Sequence, residues 1–498
     1  MSTGLSKSRL MSFLQCPTRL WLEKHRPDLV TPDPQQQAVF AMGHEVGDVA
    51  RRLYDSGGGV MIEYDAGLTA ALQRTGEVLA QRSTAPVFEA TFERDGLLVR
   101  VDVLERGRKG PRLVEVKACT RVKDEHVTDC AIQSWVLEAS VARPRSVSLA
   151  HVNNAFVYPG DGRYAGLLKE QDLSADLAPQ REEVPAWLRS AKQVLRGPEP
   201  QAQIGTRCFS PYACPFQGYC WKSTDHPLTD LPGIGRRLDA LLARDYHDVR
   251  DLPEGELRTD DQRRVWRAAR RGRPEVSRGA RDALAELGWP RYYLDFETIA
   301  FAVPRWAGTR PYQPLPFQWS LHVETAPGAL EHAEFLDLTG ELPVRALAKA
   351  LIDATRHQGP VLTYTGYEQR CLRILADFCP DLRGQLDALG TRLVDLHPIA
   401  KRHYYHPAMH GSWSIKALLP TIAPELDYAR LEEIQDGNAA QQAYLEAIAP
   451  AVSPGRKAQL RQRLLDYCGQ DTRAMVAVAR YLEGRSGAAR TPARRPAG

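Results

Sequence analysis

The alternation of apolar and polar positions distinguishes two kinds of stretch in the first half of the chain. Apolar residues recur at helical spacing in residues 6–19, 40–54 and 126–141, which predicts three helices. Residues 97–103 and 113–117 alternate with a period of two, which predicts two strands, and the glycines of residues 107–110 predict a turn between them. The N-terminal half is therefore predicted to combine strands with helices.

The second half of the chain also mixes the two patterns. Residues 292–296 predict a strand, strand and helix patterns alternate after it, and residues 457–482 predict a final helix. Residues 226–288 form a predicted helical bridge, and residues 484–498, rich in Gly, Ala, Pro and Arg, are predicted to be disordered. The pattern predicts an α/β protein with domains at residues 1–225 and 289–483, joined by the bridge.

Composition narrows the class of protein without deciding its function. Of the 498 residues, 43% are hydrophobic and 25% are charged, as in ordinary globular proteins, and the formal net charge of +4 permits nucleic-acid binding without arguing for it. No apolar stretch approaches the ~18 residues that span a bilayer, and no signal peptide opens the chain. We therefore expect a cytoplasmic protein with no membrane partner, whose nine cysteines are metal-ligand candidates before they are disulfide partners.

The first candidate site combines an acid on one predicted strand with a Glu-x-Lys sequence on the next. Glu115 and Lys117 share a face of their strand, and a hairpin would bring Asp102 to the same place. Two carboxylates suit a hard cation such as Mg²⁺, which activates water, while the lysine would hold that water or the developing charge. A solvated strand face has the same spacing, but here the charges alternate with valines in a run that looks buried.

The second candidate site draws on three distant parts of the chain. Asp295 and Glu297 share a face of a predicted strand, and Glu368 lies where a later strand enters a helix. Tyr467 and Asp471 are four residues apart on the final helix and also share a face. Four acids so placed could hold two metal ions ~4 Å apart, with Tyr467 orienting the attacking water.

Two further features accompany this second site in the sequence. Asp395, in the sequence LVDL, competes with Glu368 for the same role. Four histidines follow at irregular spacing, and we interpret them as a loop near a substrate groove, with a metal role as the alternative: His397, His403, His406 and His410.

Four cysteines are candidate ligands of a metal centre. Cys16 lies near the N-terminus, and Cys208, Cys214 and Cys220 follow at regular intervals much later. Four thiolates suit Zn²⁺ or an iron–sulfur cluster, but structural zinc sites usually contain a Cys-x₂₋₄-Cys pair, which is missing here. The remaining cysteines are interpreted as isolated buried residues, namely Cys119, Cys130, Cys371, Cys379 and Cys468.

The bridge carries a signal for nucleic-acid binding that has a simpler alternative. The sequence LPGIG resembles the turn of a helix-hairpin-helix, in which Gly233 and Gly235 would let backbone N–H groups approach a phosphate and Arg236 would begin the next helix. A simple turn before a helix explains the same residues. Nine arginines against three acids in residues 258–281 would lie along a DNA backbone or form a solvated helix face.

The N-terminal motifs resemble those of the PD-(D/E)XK nucleases of the RecB-like branch. The matching residues are those of the sequences VRVD, LVEVKA and AIQ, and the resemblance implies that Asp102, Glu115 and Lys117 form the catalytic core and that Gln133 orders the site. The cysteine arrangement resembles the iron–sulfur subgroup, which includes AddB and the CRISPR-adaptation nucleases. In that subgroup one early and three late cysteines hold a [4Fe–4S] cluster, with Zn²⁺ as the alternative here.

The C-terminal motifs resemble those of the DEDD exonucleases of the ribonuclease H-like fold, in the subgroup with tyrosine in the last motif. The resemblance implies metal binding by Asp295, Glu297, Glu368 and Asp471, although the family usually has Asp where Glu368 stands. The whole chain resembles bacterial predicted RecB-family nucleases that carry a C-terminal fusion. This implies a restriction-endonuclease-like domain followed by an exonuclease domain.

The resemblance implies a Mg²⁺- or Mn²⁺-dependent DNA nuclease, expected to act as an exonuclease on single-stranded or end-containing DNA in repair, recombination or defence. A helicase partner would act in trans, because the chain has no Walker A motif. The alternatives are an exonuclease that processes RNA, a nucleic-acid-binding module with degenerate sites, and a zinc-stabilised scaffold without catalytic function.

Overall fold

The computed structural model describes residues 4–31, 34–107, 110–141, 143–277, 279–485 and 494–496. Tertiary contacts divide the chain into two compact units. Unit 1 comprises Met1–Lys222 with Phe301–Tyr312, and unit 2 comprises Ser223–Ala300 with Gln313–Gly498. Both units contain helices and mixed sheets, which confirms the predicted α/β class.

Unit 1 is built on a seven-stranded sheet in the order β2-β3-β4-β5-β6-β7, with β1 paired to β4. The strands are β1 Leu5–Ser6, β2 Val60–Met61, β3 Val87–Arg94, β4 Leu97–Glu105, β5 Arg112–Lys117, β6 Ser146–Val152 and β7 Leu168–Asp172. The helices are α1 Lys7–Gln15, α2 Pro17–His25, α3 Pro34–Tyr54, α4 Leu68–Ala80, α5 Asp124–Ser140, α6 Ala178–Arg196 and α7 Gln217–Cys220. The predicted strands and the helices at 40–54 and 126–141 are confirmed.

The hairpin of β4 and β5 fixes which residues can meet in unit 1. Val103 pairs with Val114 in antiparallel register, so Asp102 and Glu115 lie one residue beyond that pair on adjacent strands. The next strand, β6, is parallel to β5, and such a connection requires a crossover, which α5 provides. Residues of α5 therefore lie against the sheet beside the hairpin. Lys109 of the predicted turn lies outside the described residues, while Gly110 N donates to Gly107 O at 3.0 Å.

The single helix predicted for residues 6–19 is wrong. Helix α1 ends at Gln15, Cys16 is extended with φ −161° and ψ 121°, and α2 begins at Pro17. The cause is the proline, which disfavours helical backbone at the preceding residue but fits the first position of a new helix. The break leaves Cys16 at the junction of two short helices.

Unit 2 is built on a six-stranded sheet in the order β13-β12-β9-β10-β11-β15, with a separate pair of β14 and β8. The strands are β8 Glu275–Val276, β9 Arg291–Ile299, β10 Leu315–Ala326, β11 Ala329–Leu336, β12 Val361–Thr363, β13 Leu393–Asp395, β14 Tyr404–Tyr405 and β15 Arg494–Pro496. The helices are α8 Arg237–Leu242, α9 Asp260–Arg271, α10 Gly279–Ala285, α11 Val344–Ala354, α12 Tyr367–Phe378, α13 Arg383–Gly390, α14 Leu396–His403, α15 Ile415–Leu418, α16 Gly437–Ala447 and α17 Pro454–Leu482.

The long helix α17 is held against the sheet of unit 2 by buried polar contacts. Gln318 Nε2 on β10 donates to Leu464 O at 2.7 Å, and Thr472 Oγ1 lies 2.8 Å from both Ser320 Oγ and His322 Nδ1. Because buried polar groups need partners, these contacts fix both the rotation and the register of the helix. The predicted final helix is confirmed, and its side chains next to Thr472 are held over β9 and β10.

Two segments are grouped differently from the predicted domains. Residues 226–288, predicted as a separate bridge, are part of unit 2, and Phe301–Tyr312 is part of unit 1. Backbone hydrogen bonds hold the second segment, because Tyr158 N donates to Thr309 O at 2.9 Å and Gly308 N donates to Tyr158 O at 2.8 Å. Ala302 and Val303 also pack in an apolar cluster of unit 1.

The C-terminal tail predicted to be disordered is partly described. Residues 494–496 form β15, which pairs in parallel with β11, whereas residues 486–493 and 497–498 lie outside the described residues. Strand β11 would otherwise be an edge strand, which offers unpaired backbone groups to any extended segment. Among the described residues, no helix is long and apolar enough to cross a membrane.

Candidate active sites

The first cluster lies in unit 1 and contains the predicted residues Asp102, Glu115, Lys117 and Gln133 together with two residues that were not predicted, Lys7 and Asp129. Strands β4 and β5 supply Asp102, Glu115 and Lys117, helix α5 supplies Asp129 and Gln133, and the start of α1 supplies Lys7. Glu115 and Gln133 are fully buried.

Hydrogen bonds and ion pairs join five members of the first cluster, whereas Asp102 is held by a backbone N–H. Lys117 Nζ lies 2.6 Å from Glu115 Oε1 and 2.9 Å from Asp129 Oδ2, and Lys7 Nζ lies 3.1 Å and 2.7 Å from the same two carboxylates. Gln133 Nε2 donates to Glu115 Oε2 at 2.6 Å and to Asp129 Oδ1 at 2.9 Å. Asp102 Oδ2 accepts from Val116 N at 2.7 Å. The cluster is a buried network in which two ammonium groups face two paired carboxylates.

The charges of the first cluster divide its acids into two kinds. Burial and the neighbouring Glu115 carboxylate raise the pKa of Asp102 to about 8. Burial alone would also raise the pKa of Asp129, but the charges of Lys117 and Lys7 lower it below its usual value. Asp102 is therefore the acid whose charge the network leaves least compensated, and Asp129 is the counter-ion of the lysines.

Replacing Asp129 with asparagine is expected to destabilise unit 1 by about 3 kcal/mol, because two partly buried ammonium groups would then share one buried carboxylate. The measurement is chemical or thermal unfolding followed by circular dichroism. Asp124→Asn on the exposed first turn of α5 is the control, with an expected loss of at most about 0.5 kcal/mol. Equal unfolding curves for the two variants would contradict the assignment of Asp129 as the counter-ion.

The second cluster lies in unit 2 and contains the predicted acids Asp295, Glu297, Glu368 and Asp471. Strand β9 supplies the first two, the first turn of α12 supplies Glu368, and α17 supplies Asp471. Glu297, Glu368 and Asp471 are buried. Carboxylate oxygens of Asp295 and Glu297 lie within 4.8 Å of each other and of the Cys468 thiol. The structure thus brings acids from three distant parts of the chain to one place.

Polar side chains hold parts of the second cluster in position. Tyr428 Oη donates to Asp471 Oδ1 at 2.6 Å, and Lys416 Nζ donates to Tyr467 Oη at 2.8 Å. The Lys416 ammonium also lies 5.1 Å and 4.9 Å from the ring centres of Tyr428 and Tyr467. The predicted Tyr467 therefore lies beside the acids with its hydroxyl oxygen already accepting a hydrogen bond.

Burial raises the pKa of every acid in the second cluster, and repulsion from neighbouring acids raises it further at Asp295, Glu297 and Glu368. Burial and the charges of Asp471, Glu297 and Glu368 raise the pKa of Asp295 well above its usual range. Burial is also the main cause that raises the pKa of Glu368 to about 8 and that of Asp471 to about 6, although Tyr428 and Lys416 counteract it at Asp471. Glu368 Oε2 is buried without a hydrogen-bond partner among the described residues. Without further positive charge, Glu368 is therefore mostly protonated at neutral pH, whereas Asp471 is mostly ionised.

The metal-free protein is expected to lose stability as the pH rises. An acid whose pKa is raised by folding binds more protons in the folded state, so the stability it contributes is present below the folded pKa and lost as the pH rises through it. For Asp471 and Glu368 this window runs from about pH 4 to about pH 8, and we expect a loss of several kcal/mol across it. Urea unfolding in a chelating buffer at several pH values measures it. A Glu368→Gln variant with an unchanged pH slope would contradict this expectation.

Asp395, the competitor of Glu368 in the sequence, has a structural task. Its Oδ1 accepts from Thr365 N at 2.9 Å and from His397 N at 2.8 Å, so it caps α14 and fixes the turn before α12. Its charge raises the pKa of Glu368, which places the two acids near each other. Glu368 is the more buried acid and interacts electrostatically with both Asp295 and Asp471.

The four predicted cysteine ligands line a single pocket in unit 1, together with Arg19, Leu22 and Phe216. Cys16 comes from the α1–α2 junction. The other three follow α6: Cys208 ends a 3-10 turn, Cys214 lies in a loop and Cys220 ends the short helix α7. Burial and the neighbouring thiols raise the pKa of Cys220 to about 11. Among the described residues, no three cysteine sulfurs lie within 4.8 Å of one another.

The other cysteines were interpreted as isolated and buried, and this interpretation is wrong for two of them. Cys119 is only partly buried. Cys468 is buried but not isolated, because its Sγ lies 3.8 Å from Asp295 Oδ2. Its position follows from helical spacing, since it lies next to Tyr467 and three residues before Asp471 on α17.

The bridge residues form a turn before a short helix. Gly233 and Gly235 have φ of 67° and 45°, they are exposed, and Arg236 is exposed at the start of α8. The preceding element is a single 3-10 turn, Leu228–Asp230, rather than a first α-helix. Several arginines of α9 are engaged within the protein, since Arg264 and Arg267 both pair with Glu275.

Comparison with known proteins covers only part of unit 2. A family model described as a domain of unknown function, DUF2779, matches residues 292–414. The match contains Asp295, Glu297 and Glu368 but ends before Tyr467 and Asp471. No curated protein has a matching sequence.

Proposed function

We propose that the protein is a Mg²⁺- or Mn²⁺-dependent nuclease that acts on DNA through two active sites. The first cluster would be the site of a PD-(D/E)XK nuclease unit, and the second cluster the site of a DEDD-type unit with a ribonuclease H-like fold. The observation that carries this proposal is the convergence of four acids in the second cluster, three of them buried. Four carboxylates so close together repel one another when they are ionised, and bound cations would compensate that repulsion.

The donor set of the second cluster fits hard divalent cations. Carboxylate oxygens are the ligands that Mg²⁺ and Mn²⁺ prefer, and the unpartnered Glu368 Oε2 offers one more oxygen inside the cluster. Asp295, Glu297, Glu368 and Asp471 would hold the ions. Bound there, a pair of divalent ions would activate water and stabilise the charge of a phosphodiester under attack.

The remaining groups of the second cluster would position the substrates. Burial and the charge of Asp471 raise the pKa of Tyr467, so its hydroxyl stays protonated and donates a hydrogen bond. Because Lys416 already donates to the Tyr467 oxygen, the O–H of Tyr467 is available for a water or a phosphate oxygen. The Lys416 ammonium would also attract the phosphate backbone.

The proposed active site in the first cluster contains fewer carboxylates and more lysines than the one in the second cluster. Asp102 and Glu115 are its candidate metal ligands, and Gln133 fixes the orientation of Glu115 by donating to Oε2. Lys117 would stabilise the negative charge that develops on the phosphate. Lys7, which contacts the same carboxylates, is placed to assist Lys117 and ties the start of α1 to the site.

The four-cysteine pocket fits an iron–sulfur cluster better than zinc. A tetrahedral zinc ion with Zn–S bonds of ~2.3 Å needs sulfur atoms roughly 3.8 Å apart. The described cysteines do not meet this spacing as a set, since no three of their sulfur atoms lie within 4.8 Å of one another. A [4Fe–4S] cluster is larger and takes four cysteines at greater separation. Anaerobically purified protein should therefore contain iron and sulfide and absorb near ~400 nm, whereas zinc in their place would contradict this.

End-labelled single-stranded oligonucleotides test the proposed activity. We expect wild-type protein to cut DNA labelled at either end only when Mg²⁺ or Mn²⁺ is present, and Lys117→Ala to remove one part of the product ladder. Lys169→Ala, an exposed lysine of β7 in the same unit, is the matched control and should cut as wild type does. Preferred cutting of RNA of the same sequence would transfer the proposal to RNA, and tight binding without cutting would replace it with a binding module.

A further inference from the structure

Three side chains of unit 2 meet outside the second cluster. Asp230 Oδ2 lies 3.0 Å from His410 Nδ1 and 3.6 Å from His226 Nδ1, and one potential ligand atom of each residue lies within 4.8 Å of the other two. Ligand atoms bound to one ion at ~2.0–2.1 Å are separated by about 2.9–3.4 Å, a range close to both distances. We propose that this His–Asp–His triad binds a divalent transition-metal ion such as Zn²⁺.

The chemistry of the triad differs from that of both acidic clusters. Two imidazoles and one carboxylate suit Zn²⁺ and related transition metals, whereas Mg²⁺ prefers an all-oxygen site. Asp230 is buried, and both histidines present Nδ1 to the same carboxylate oxygen.

Two local features of the backbone bring the three residues together. Asp230 ends a 3-10 turn, Leu228–Asp230, and His226 lies two residues before that turn, so the two side chains meet four residues apart. His410 and Gly411 both have left-handed backbone, with φ of 47° and 73°. A Cβ atom on Gly411 would lie 1.7 Å from the backbone oxygen of Asp230, so only glycine permits this approach.

Further contacts anchor the backbone on both sides of the triad. Val249 N donates to His226 O at 2.7 Å, and Gly411 N donates to the hydroxyl of the buried Tyr405 at 2.9 Å. The His410 side chain is 56% exposed, which leaves one side of the ion open to water or to a ligand. The triad would therefore be a three-ligand site that ties residues 226–230 to residues 410–411.

Metal analysis of the full-length protein tests this proposal. After removal of metal by a chelator and reloading with Zn²⁺, His410→Asn should contain about one zinc equivalent less than wild type, and its zinc affinity at this site should fall by about 100-fold or more. Asparagine tolerates the left-handed backbone at this position, so the loop is expected to keep its conformation. Asp230→Asn should give the same loss by removing the shared carboxylate.

Cobalt substitution separates this site from the cysteines. Cobalt in the triad should give visible ligand-field bands without the thiolate charge-transfer band that cysteine ligands add, and these bands should vanish in His410→Asn. His247→Ala is the control, because His247 lies nearby but pairs with Asp245 instead. Equal zinc content and identical cobalt spectra in wild type, His410→Asn and Asp230→Asn would overturn the proposal.

Discussion

Replacing Asp295 with asparagine is expected to abolish cleavage by unit 2 and, in the absence of metal, to make the protein more stable. The substitution keeps the size and shape of the side chain and removes its charge. Because Asp295 lies among Asp471, Glu297 and Glu368, it would otherwise have to be protonated or repelled by them. The amide avoids that cost but is a poor ligand for the divalent ions on which cleavage depends.

The two effects of Asp295→Asn have separate magnitudes and measurements. We expect cleavage by unit 2 to fall by about 10³-fold, a size typical of the loss of a group that stabilises the transition state. The melting temperature in a chelating buffer near neutral pH should rise by about 3–6 °C, which corresponds to about 1–2 kcal/mol for a unit of this size. Asp387→Asn, an exposed acid on α13 of the same unit, is the control and should change neither quantity. A variant that is both inactive and destabilised would indicate damage to the fold rather than loss of a metal ligand.

Removing one cysteine of the pocket is expected to have the largest effect on the stability of unit 1. Cys16→Ser should lose nearly all of the iron, because a cluster with three protein ligands is far more weakly held. Metal centres of this kind contribute directly to folding, so we expect unit 1 to be destabilised by several kcal/mol. Iron content, absorbance near ~400 nm and thermal unfolding measure the change.

We expect the loss of the proposed iron–sulfur cluster also to reduce cleavage by the first site. Helix α1 contacts the cysteine segment through Gln15, whose Nε2 donates to Arg207 O and to Tyr212 O, both at 2.7 Å. Lys7 begins α1, so a loosened α1 would withdraw it from Glu115. Cleavage by the first site should therefore fall together with the iron content. Cys119→Ser, outside the pocket, should keep both, and full activity of Cys16→Ser would show that the cluster does not support the first site.

The parts of the sites that lie within one strand or one helix could be predicted from the sequence. The spacing of Asp295 and Glu297, and that of Tyr467 and Asp471, fixes which side chains share a face before any tertiary structure is known. Asp129 carried the same kind of signal, because it lies four residues before Gln133 on a predicted helix. That signal was available but unused.

Other residues of the sites depend on contacts between distant segments. Lys7 is 108 residues from Glu115, and no periodicity connects them. Tyr428 and Lys416 lie in irregular or very short elements, where neither a period of two nor a helical period applies. The unit boundaries depend on the same kind of contact, since Phe301–Tyr312 joins unit 1 through backbone hydrogen bonds to Tyr158. The end of helix α1 before Cys16 could have been predicted from Pro17 alone, because the residue before a proline disfavours helical backbone.

Cleavage by a double variant, Lys117→Ala with Asp295→Ala, tests the two-site account most directly. The assay uses end-labelled single-stranded DNA with Mg²⁺ or Mn²⁺, and compares the double variant with each single variant and with wild type. We predict that each single variant loses a different part of the products and that the double variant loses all metal-dependent cleavage. Undiminished cleavage by the double variant would contradict the assignment of both sites.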